Sequence, residues 1–108
     1  MTVQIDESNQ YITLINTFTV DPKKQRALTD LLNEATETTM RHLPGFVSAT
    51  IHESLDGKRV VNYAHWASEA DFKKMLGNEE AQEHMKKVLA MAEADPNLYR
   101  VVKVHRRP

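Results

Sequence analysis

Two asparagines and a tryptophan have the types and the spacing that could form a chemical site. Asn16 interrupts an apolar row of alternate residues between Tyr11 and Val20, and Asn62 interrupts a similar row that ends at Trp66. Burying an amide without a partner costs about 1–3 kcal/mol, so each must bond the protein, a water molecule or a ligand. Two amides beside an indole ring are typical of a pocket for a flat, partly polar molecule. The alternative is that the amides bond each other or a nearby carbonyl and merely complete the core.

A histidine is the side chain that most readily exchanges protons near neutral pH, and His84 is the best candidate for a base. A histidine that packs between helices or faces solvent is the alternative interpretation of this position. Glu80 precedes His84 by one helical turn, which is more typical of a solvated face than of a site. None of the five histidines has the spacing of a helical metal-binding pair, so we expect no metal site.

Composition excludes several other classes of function. There are no cysteines, which excludes disulfides, zinc–thiolate sites and thiol nucleophiles, and none of the three glycines belongs to a phosphate-binding loop. The net charge of −1 offers no field for nucleic acid. No stretch is apolar enough to cross a membrane or to act as a signal peptide, so we expect a cytoplasmic location.

The elements that would position these residues follow from periodicity. Residues 1–10 are polar and predict a flexible N-terminal tail, and residues 11–108 predict a single domain. Alternation predicts strands at 11–20, 46–53, 59–66 and 98–105. Asp21 and Pro22 begin a first helix that ends at 43–45, and Ser68 with Asp71 resembles a capping box for a second. The second helix breaks at 77–78 and resumes as far as Ala92, and a turn is predicted at 95–97.

The order β-α-β-β-α-β predicts an α+β, ferredoxin-like fold with an antiparallel sheet. In that topology the first and third strands are central neighbours, which would place Asn16 beside Asn62 under the helices. Strict alternation places six apolar residues on the other face of the sheet. They are Ile15, Val47, Ala49, Ile51, Val61 and Tyr63. Such a face predicts a homodimer that packs sheet against sheet, a dimeric α/β barrel.

Three segments together are similar to a known family: Asn16–Val20, Pro44–Phe46 and Val61–Glu69. From Tyr11 to His105 the chain resembles the antibiotic biosynthesis monooxygenases. The similarity is closest to the small oxygenases that convert anthrones to quinones in aromatic polyketide pathways, of the actinorhodin and nogalamycin type. The resemblance implies a homodimer that needs no cofactor, neither metal, flavin nor haem. It implies a small, electron-rich polycyclic aromatic substrate that O2 oxidises to a quinone.

The resemblance also assigns roles to individual residues. Residues that match Asn16, Asn62 and Trp66 line the pocket of those oxygenases and are implicated in catalysis. Substrate-binding positions match Phe72, His84 and Lys86. Phe72 stands where the actinorhodin-type pattern has tyrosine, and Lys86 where it has arginine, so a hydroxyl and a forked guanidinium are absent.

Two alternatives share the predicted scaffold. Haem-degrading monooxygenases have a first-strand asparagine, as Asn16 would be, and a haem-ligating histidine at or beside His84. Their second-helix tryptophan falls near Met75, so one of three expected features is missing. The other alternative is a dimeric domain that binds a small aromatic molecule without catalysis, since a fold alone does not determine function.

Overall fold

The structure, a computed structural model, describes residues 11–108, and the predicted tail at 1–10 lies outside them. Four strands and three helices follow one another along the described chain. They are β1 (Ile12–Val20), α1 (Gln25–Thr38), β2 (Phe46–Glu53), β3 (Arg59–Trp66), α2 (Glu69–Leu76), α3 (Glu79–Leu89) and β4 (Ala92–Tyr99). No helix within residues 11–108 is long and apolar enough to cross a bilayer.

The sheet is antiparallel with the strand order β2-β3-β1-β4. This order confirms the predicted ferredoxin-like α+β fold, with β1 and β3 side by side in the middle. From Leu14 to Val20 buried residues alternate with less buried ones, and Leu14, Asn16 and Phe18 lie on the helical side. The turn between β2 and β3 contains Gly57, which has a positive φ of 79°.

The C-terminal part of the prediction is wrong. Helix α3 ends at Leu89 and does not continue to Ala92, and Ala92 is already the first residue of β4. The residues predicted as a turn, 95–97, lie inside that strand, where Pro96 pairs with Asn16. Asp-Pro-Asn has the composition of a turn, but β4 is an edge strand, and an edge strand tolerates a proline that donates no hydrogen bond. The predicted strand at 98–105 shares only its first two residues with β4.

The first helix is shorter than predicted. It ends at Thr38, and a separate 3-10 turn at Met40–His42 leads to the predicted stop at 43–45. The hydroxyls of Thr36 and Thr38 donate to carbonyls four residues earlier, at 2.8 and 2.7 Å. Bonds of this kind together with β-branched side chains weaken a helix, which accounts for its end here.

A β-bulge in β2 changes the side of the sheet on which its residues lie. Phe46 pairs with Trp66, but Ser48 pairs with His65, so the register shifts by one residue between them. Because a shift of one residue exchanges the two faces, Ala49 and Ile51 pack under the helices. Their predicted place on the outer face is therefore wrong. The outer face carries less apolar surface than the sequence suggested, and the dimer stays a prediction.

Two clusters of buried residues lie between the sheet and the helices. One, which we call the packed cluster, consists of Phe18, Val20, Leu28, Leu32, Val60 and Val88. The other, the cavity cluster, consists of Leu14, Ala64, Trp66, Phe72, Met75 and Ala81. Along both central strands the boundary between the clusters falls on the asparagines: Asn16 separates Leu14 from Phe18, and Asn62 separates Val60 from Ala64.

The start of β2 is joined closely to the start of α2. Ser68 caps α2 by accepting from the Asp71 amide at 3.1 Å, as the capping box predicted. The Ser68 hydroxyl also donates to the Asp71 carboxylate at 2.9 Å. Gly45 has a φ of 86°, and a Cβ there would collide with the Asp71 side chain. The Gly45 carbonyl also accepts from the Ala67 amide at 2.7 Å. Glycine is therefore required where these segments meet.

Candidate active site

The two asparagines form one row across the central strands. Asn16 and Asn62 pair directly in the β1–β3 ladder, and both side chains are on the helical side. Their amide oxygens are buried, and neither has a hydrogen-bond partner among residues 11–108. Because neither oxygen accepts a hydrogen bond, the two amides do not bond each other within the described part of the chain. Two unpartnered buried acceptors side by side are costly unless something else bonds them.

The asparagine row lies in the wall of a cavity of about 590 Å³ between the sheet and the helices. This volume is within the range of small-molecule sites, roughly 300–1,000 Å³. The lining is predominantly apolar, and its described polar side chains are Asn16, Asn62, Thr36, His84 and Asn97. None of the described lining residues is Asp, Glu, Lys or Arg. The cavity therefore fits a mostly apolar molecule with a few polar groups.

Aromatic residues form one side of the cavity. Trp66 is only 2% exposed, and its ring packs edge-on against Phe46, with ring centroids 5.6 Å apart. Phe72 also meets the indole edge-on, with ring centroids 6.3 Å apart. A buried ring in contact with two other rings has little freedom to move, and edge-to-face contacts add about 0.5–1.5 kcal/mol each. Trp66 and Phe72 thus form a rigid wall for a flat ring system.

His84 enters the lining from α3 and is held through one ring nitrogen. Its Nε2 lies 2.9 Å from the Thr39 hydroxyl and 3.4 Å from that of Thr38. The Thr39 hydroxyl in turn donates to the Glu80 carboxylate at 3.1 Å. His84 is the one titratable side chain among the described lining residues.

The structure brings together five of the six residues that the sequence singled out, and the exception is Lys86. Its ammonium group pairs with Glu83 at 3.3 Å, and the side chain is 75% exposed. Lys86 is not among the residues that line the cavity. Within the described chain, Lys86 is therefore not positioned to contact a substrate in the cavity.

The outer face of the sheet carries a separate buried histidine, His65. The ring packs edge-on against Tyr63 at 5.1 Å, and its Nδ1 is 3.4 Å from the Thr13 hydroxyl. Its Nε2 has no partner within residues 11–108. Burial lowers the pKa of His65 below its usual range, because the charged form loses solvation. Since it faces away from the cavity, His65 takes no part in the candidate site.

Two residues of the site were missed from the sequence, Thr39 and Glu80. The spacing of Glu80 and His84 gave a signal, but that spacing is more typical of a solvated helix face than of a site. No local signal marks Thr39, which lies in a run of threonines and glutamates and comes to His84 only when α1 packs on α3. Within residues 11–108, no group of three or more His, Asp or Glu side chains is placed to hold a metal ion.

Comparison with known proteins identifies the family to which this fold and cavity belong. Residues 11–87 match the family model described as antibiotic biosynthesis monooxygenase. The match spans most of the chain, including the asparagine row, Trp66 and His84. The chain therefore belongs to the antibiotic biosynthesis monooxygenase family, as the resemblance implied.

Individual relatives agree with this assignment. The chain is 54% identical over 80 residues to tetracenomycin-F1 monooxygenase of Streptomyces glaucescens, which covers 74% of this chain and 71% of that protein. With such a relative, the chain is an oxidoreductase of the monooxygenase class.

Solved structures show the same fold at lower sequence identity. SnoaB, a cofactor-independent oxygenase from Streptomyces nogalater, superposes with a TM-score of 0.74 at 23% identity, over 87% of this chain and 95% of that one. A conserved protein from Methanosarcina mazei superposes with a TM-score of 0.76 at 18% identity, with the same coverage. At these identities the likeness concerns the fold.

Proposed function

We propose that this monooxygenase oxidises an anthrone-like polycyclic aromatic to a quinone with O2 as the only co-substrate and with no bound cofactor. The substrate class comes from the cavity, which is large, mostly apolar and walled by aromatic rings, and from the tetracenomycin-F1 monooxygenase relative. The observation that carries the proposal is the pair of buried, unpartnered amide oxygens at Asn16 and Asn62. They supply polar contacts in the middle of an otherwise apolar wall.

The reaction needs no electron carrier, because the substrate itself can become electron-rich. A base removes one proton from the methylene carbon, and the resulting enolate passes one electron to O2. The radical and superoxide combine to form a C–O bond, and the proton returns to give a hydroperoxide. Loss of the second C–H proton then breaks the O–O bond, so that one oxygen atom remains as the carbonyl and the other leaves as water.

The protein's part in this scheme is to favour the anion and to hold it in place. The amide groups of Asn16 and Asn62 present both N–H donors and C=O acceptors, since rotation of the amide exchanges them. The N–H groups would stabilise the enolate oxygen, as preorganised donors do in other enzymes. Trp66 and Phe72 would orient the ring system, and the apolar lining would exclude bulk water.

Oxygen uptake with a model anthrone tests the proposal. Dithranol is mixed with wild-type protein after treatment with a chelator, and O2 consumption is followed with an electrode against the spontaneous rate. We expect one O2 consumed for each quinone formed, at a rate well above that without protein. A rate that does not exceed the spontaneous one would contradict the proposal.

Haemin titration of the same protein tests the haem-degrading alternative. The haem-degrading relatives have a second-helix tryptophan that falls near Met75 here, so one feature of their haem site is missing. We therefore expect no sharp Soret shift. A Soret shift that is lost in His84→Ala would favour the haem-degrading alternative instead.

A further inference from the structure

The hydrogen bonds around His84 determine which of its two ring nitrogens carries the proton. A carboxylate can only accept, so the Thr39 hydroxyl must donate its single proton to Glu80, 3.1 Å away. That hydroxyl can then only accept from Nε2 of His84, 2.9 Å away. The neutral ring therefore carries its proton on Nε2, and Nδ1 keeps a free lone pair.

The same ring belongs to the cavity wall. The described hydrogen bonds of His84 all involve Nε2, which leaves Nδ1 available to a ligand. Because His84 is the one titratable side chain among the described lining residues, a proton leaving a molecule in the cavity has this ring as its acceptor within the wall.

We propose that Thr39 and Glu80 are positioning residues that hold His84 with its proton on Nε2 and its Nδ1 lone pair as the proton acceptor for the substrate. This inference rests on the proposed function. In each turnover, Nδ1 takes the C–H proton, and the imidazolium gives it back to the peroxide. A second transfer supplies the proton for the leaving water, so that the ring ends neutral.

The burial of Thr39 favours this role over that of an incidental surface contact. Thr39 is 4% exposed and directly follows α1, and its amide donates to the Ala35 carbonyl, which fixes the backbone. Thr38 provides a natural comparison: it is exposed, its hydroxyl is committed to the Glu34 carbonyl at 2.7 Å, and it lies farther from Nε2. The chain thus offers two neighbouring threonines, only one of which links His84 to Glu80.

The state of the ring can be observed without any substrate. In a ¹⁵N spectrum of the His84 side chain at neutral pH, we expect Nε2 to be protonated and its proton to be protected from solvent exchange. Thr39→Val and Glu80→Ala should each lose that protection, whereas Thr38→Val and Glu83→Ala should retain it. A wild-type ring protonated on Nδ1, or an Nε2 proton equally protected in Thr39→Val, would overturn the inference.

Kinetics with the model anthrone supply the second readout. We expect His84→Ala to lower kcat by about a hundredfold, within the range of general-base effects. Thr39→Val should lower kcat by about tenfold to a hundredfold with little change in KM, as for other residues that orient an imidazole through its second nitrogen. Thr39→Ser, which keeps the hydroxyl, should restore most of the rate, and Thr38→Val should leave it unchanged.

The outcomes for the two proposals can be told apart. If the wild type does not consume O2, the proposed function fails, and the spectrum alone still decides how the ring is held. If the wild type turns over and His84→Ala does so equally fast, the inference fails while the proposed function stands. If Thr39→Val matches Thr38→Val in both rate and spectrum, the positioning role is overturned.

Discussion

The packed cluster and the cavity cluster lie under the same two central strands, yet they differ in how they fill the space. Leu28 and Val60 of the packed cluster have no measurable exposure and, like Val20, do not reach the cavity. The other three residues of that cluster also line the cavity: Phe18, Leu32 and Val88. In the cavity cluster, every residue except Ala81 lines the cavity. The packed half of the core therefore keeps three of its six residues away from the cavity, whereas five of the six residues in the cavity half border it.

The largest expected difference between the halves is in stability. Leu28→Ala removes a fully enclosed side chain and should lower the free energy of unfolding by about 3–5 kcal/mol. Met75→Ala removes a similar volume, but part of that side chain already faces the cavity and has no neighbours to lose. We expect no more than about half the loss of Leu28→Ala for this variant. Urea unfolding of both variants would measure the difference, and equal losses would contradict the division of the core.

A second comparison concerns Gly45, which lies where the start of β2 meets the start of α2, next to the cavity cluster. Gly45→Ala combines a positive φ with a collision against Asp71, and should cost at least about 1–3 kcal/mol. Gly57→Ala is the matched control: it has a similar φ of 79°, but the nearest atom to its Cβ would be 3.4 Å away, in Pro22. Thermal unfolding should show the larger loss for Gly45→Ala. Equal losses would mean that the contact with Asp71 has little effect.

A smaller effect is expected from His65 on the outer face of the sheet. Because burial lowers the pKa of His65 in the folded chain, the unfolded chain takes up a proton first as the pH falls. The stability contributed by the neutral ring is present above the unfolded pKa, near 6.5, and is lost as the pH falls below it. The slope is at most that of one proton, about 1.4 kcal/mol per pH unit.

Urea unfolding at pH 7.5 and at pH 5.5 checks this expectation. The wild type should lose more stability between these two values than His65→Gln, which cannot take up a proton. The same pH dependence in both proteins would show that His65 is not the group responsible. Because His65 lies outside both clusters, the result also separates the outer face from the two halves of the core.

Local patterns predicted much of the fold. Alternation found β1 and β3, the Asp-Gly turn found the hairpin, and Ser68 with Asp71 found the start of α2. The failures occurred where long-range pairing overrides local preference. Pro96 is held in β4 because its strand is an edge paired to β1, and the bulge in β2 leaves no mark in the sequence.

The candidate site likewise contains some residues that local patterns predicted and others that only the folded chain brings together. Asn16, Asn62 and Trp66 stood out because a polar group interrupts a strict period, which is a local signal. Thr39 and Glu80 are separated by 41 positions, and their link to His84 exists only in the folded chain. Lys86 was predicted by resemblance, but helix α3 turns it toward solvent and Glu83. The sequence therefore predicted the asparagine row in the sheet. The contacts around His84 became apparent only in the structure, because they depend on how the helices pack.

The central claim is that Asn62 is placed for a ligand rather than for the fold. Asn62→Ala is the direct test, with Asn33→Ala, an exposed asparagine on α1, as the control. Both kcat with the model anthrone and the free energy of unfolding are measured on the same preparations. We predict that kcat of Asn62→Ala falls by about 10²–10³-fold, as when a preorganised donor is removed.

Its unfolding free energy should stay within about 1 kcal/mol of wild type, because the amide oxygen that is lost has no partner in the described chain. Asn33→Ala should change neither quantity. An Asn62→Ala variant that is clearly destabilised but keeps the wild-type kcat would contradict the claim, since its amide would then serve the core alone.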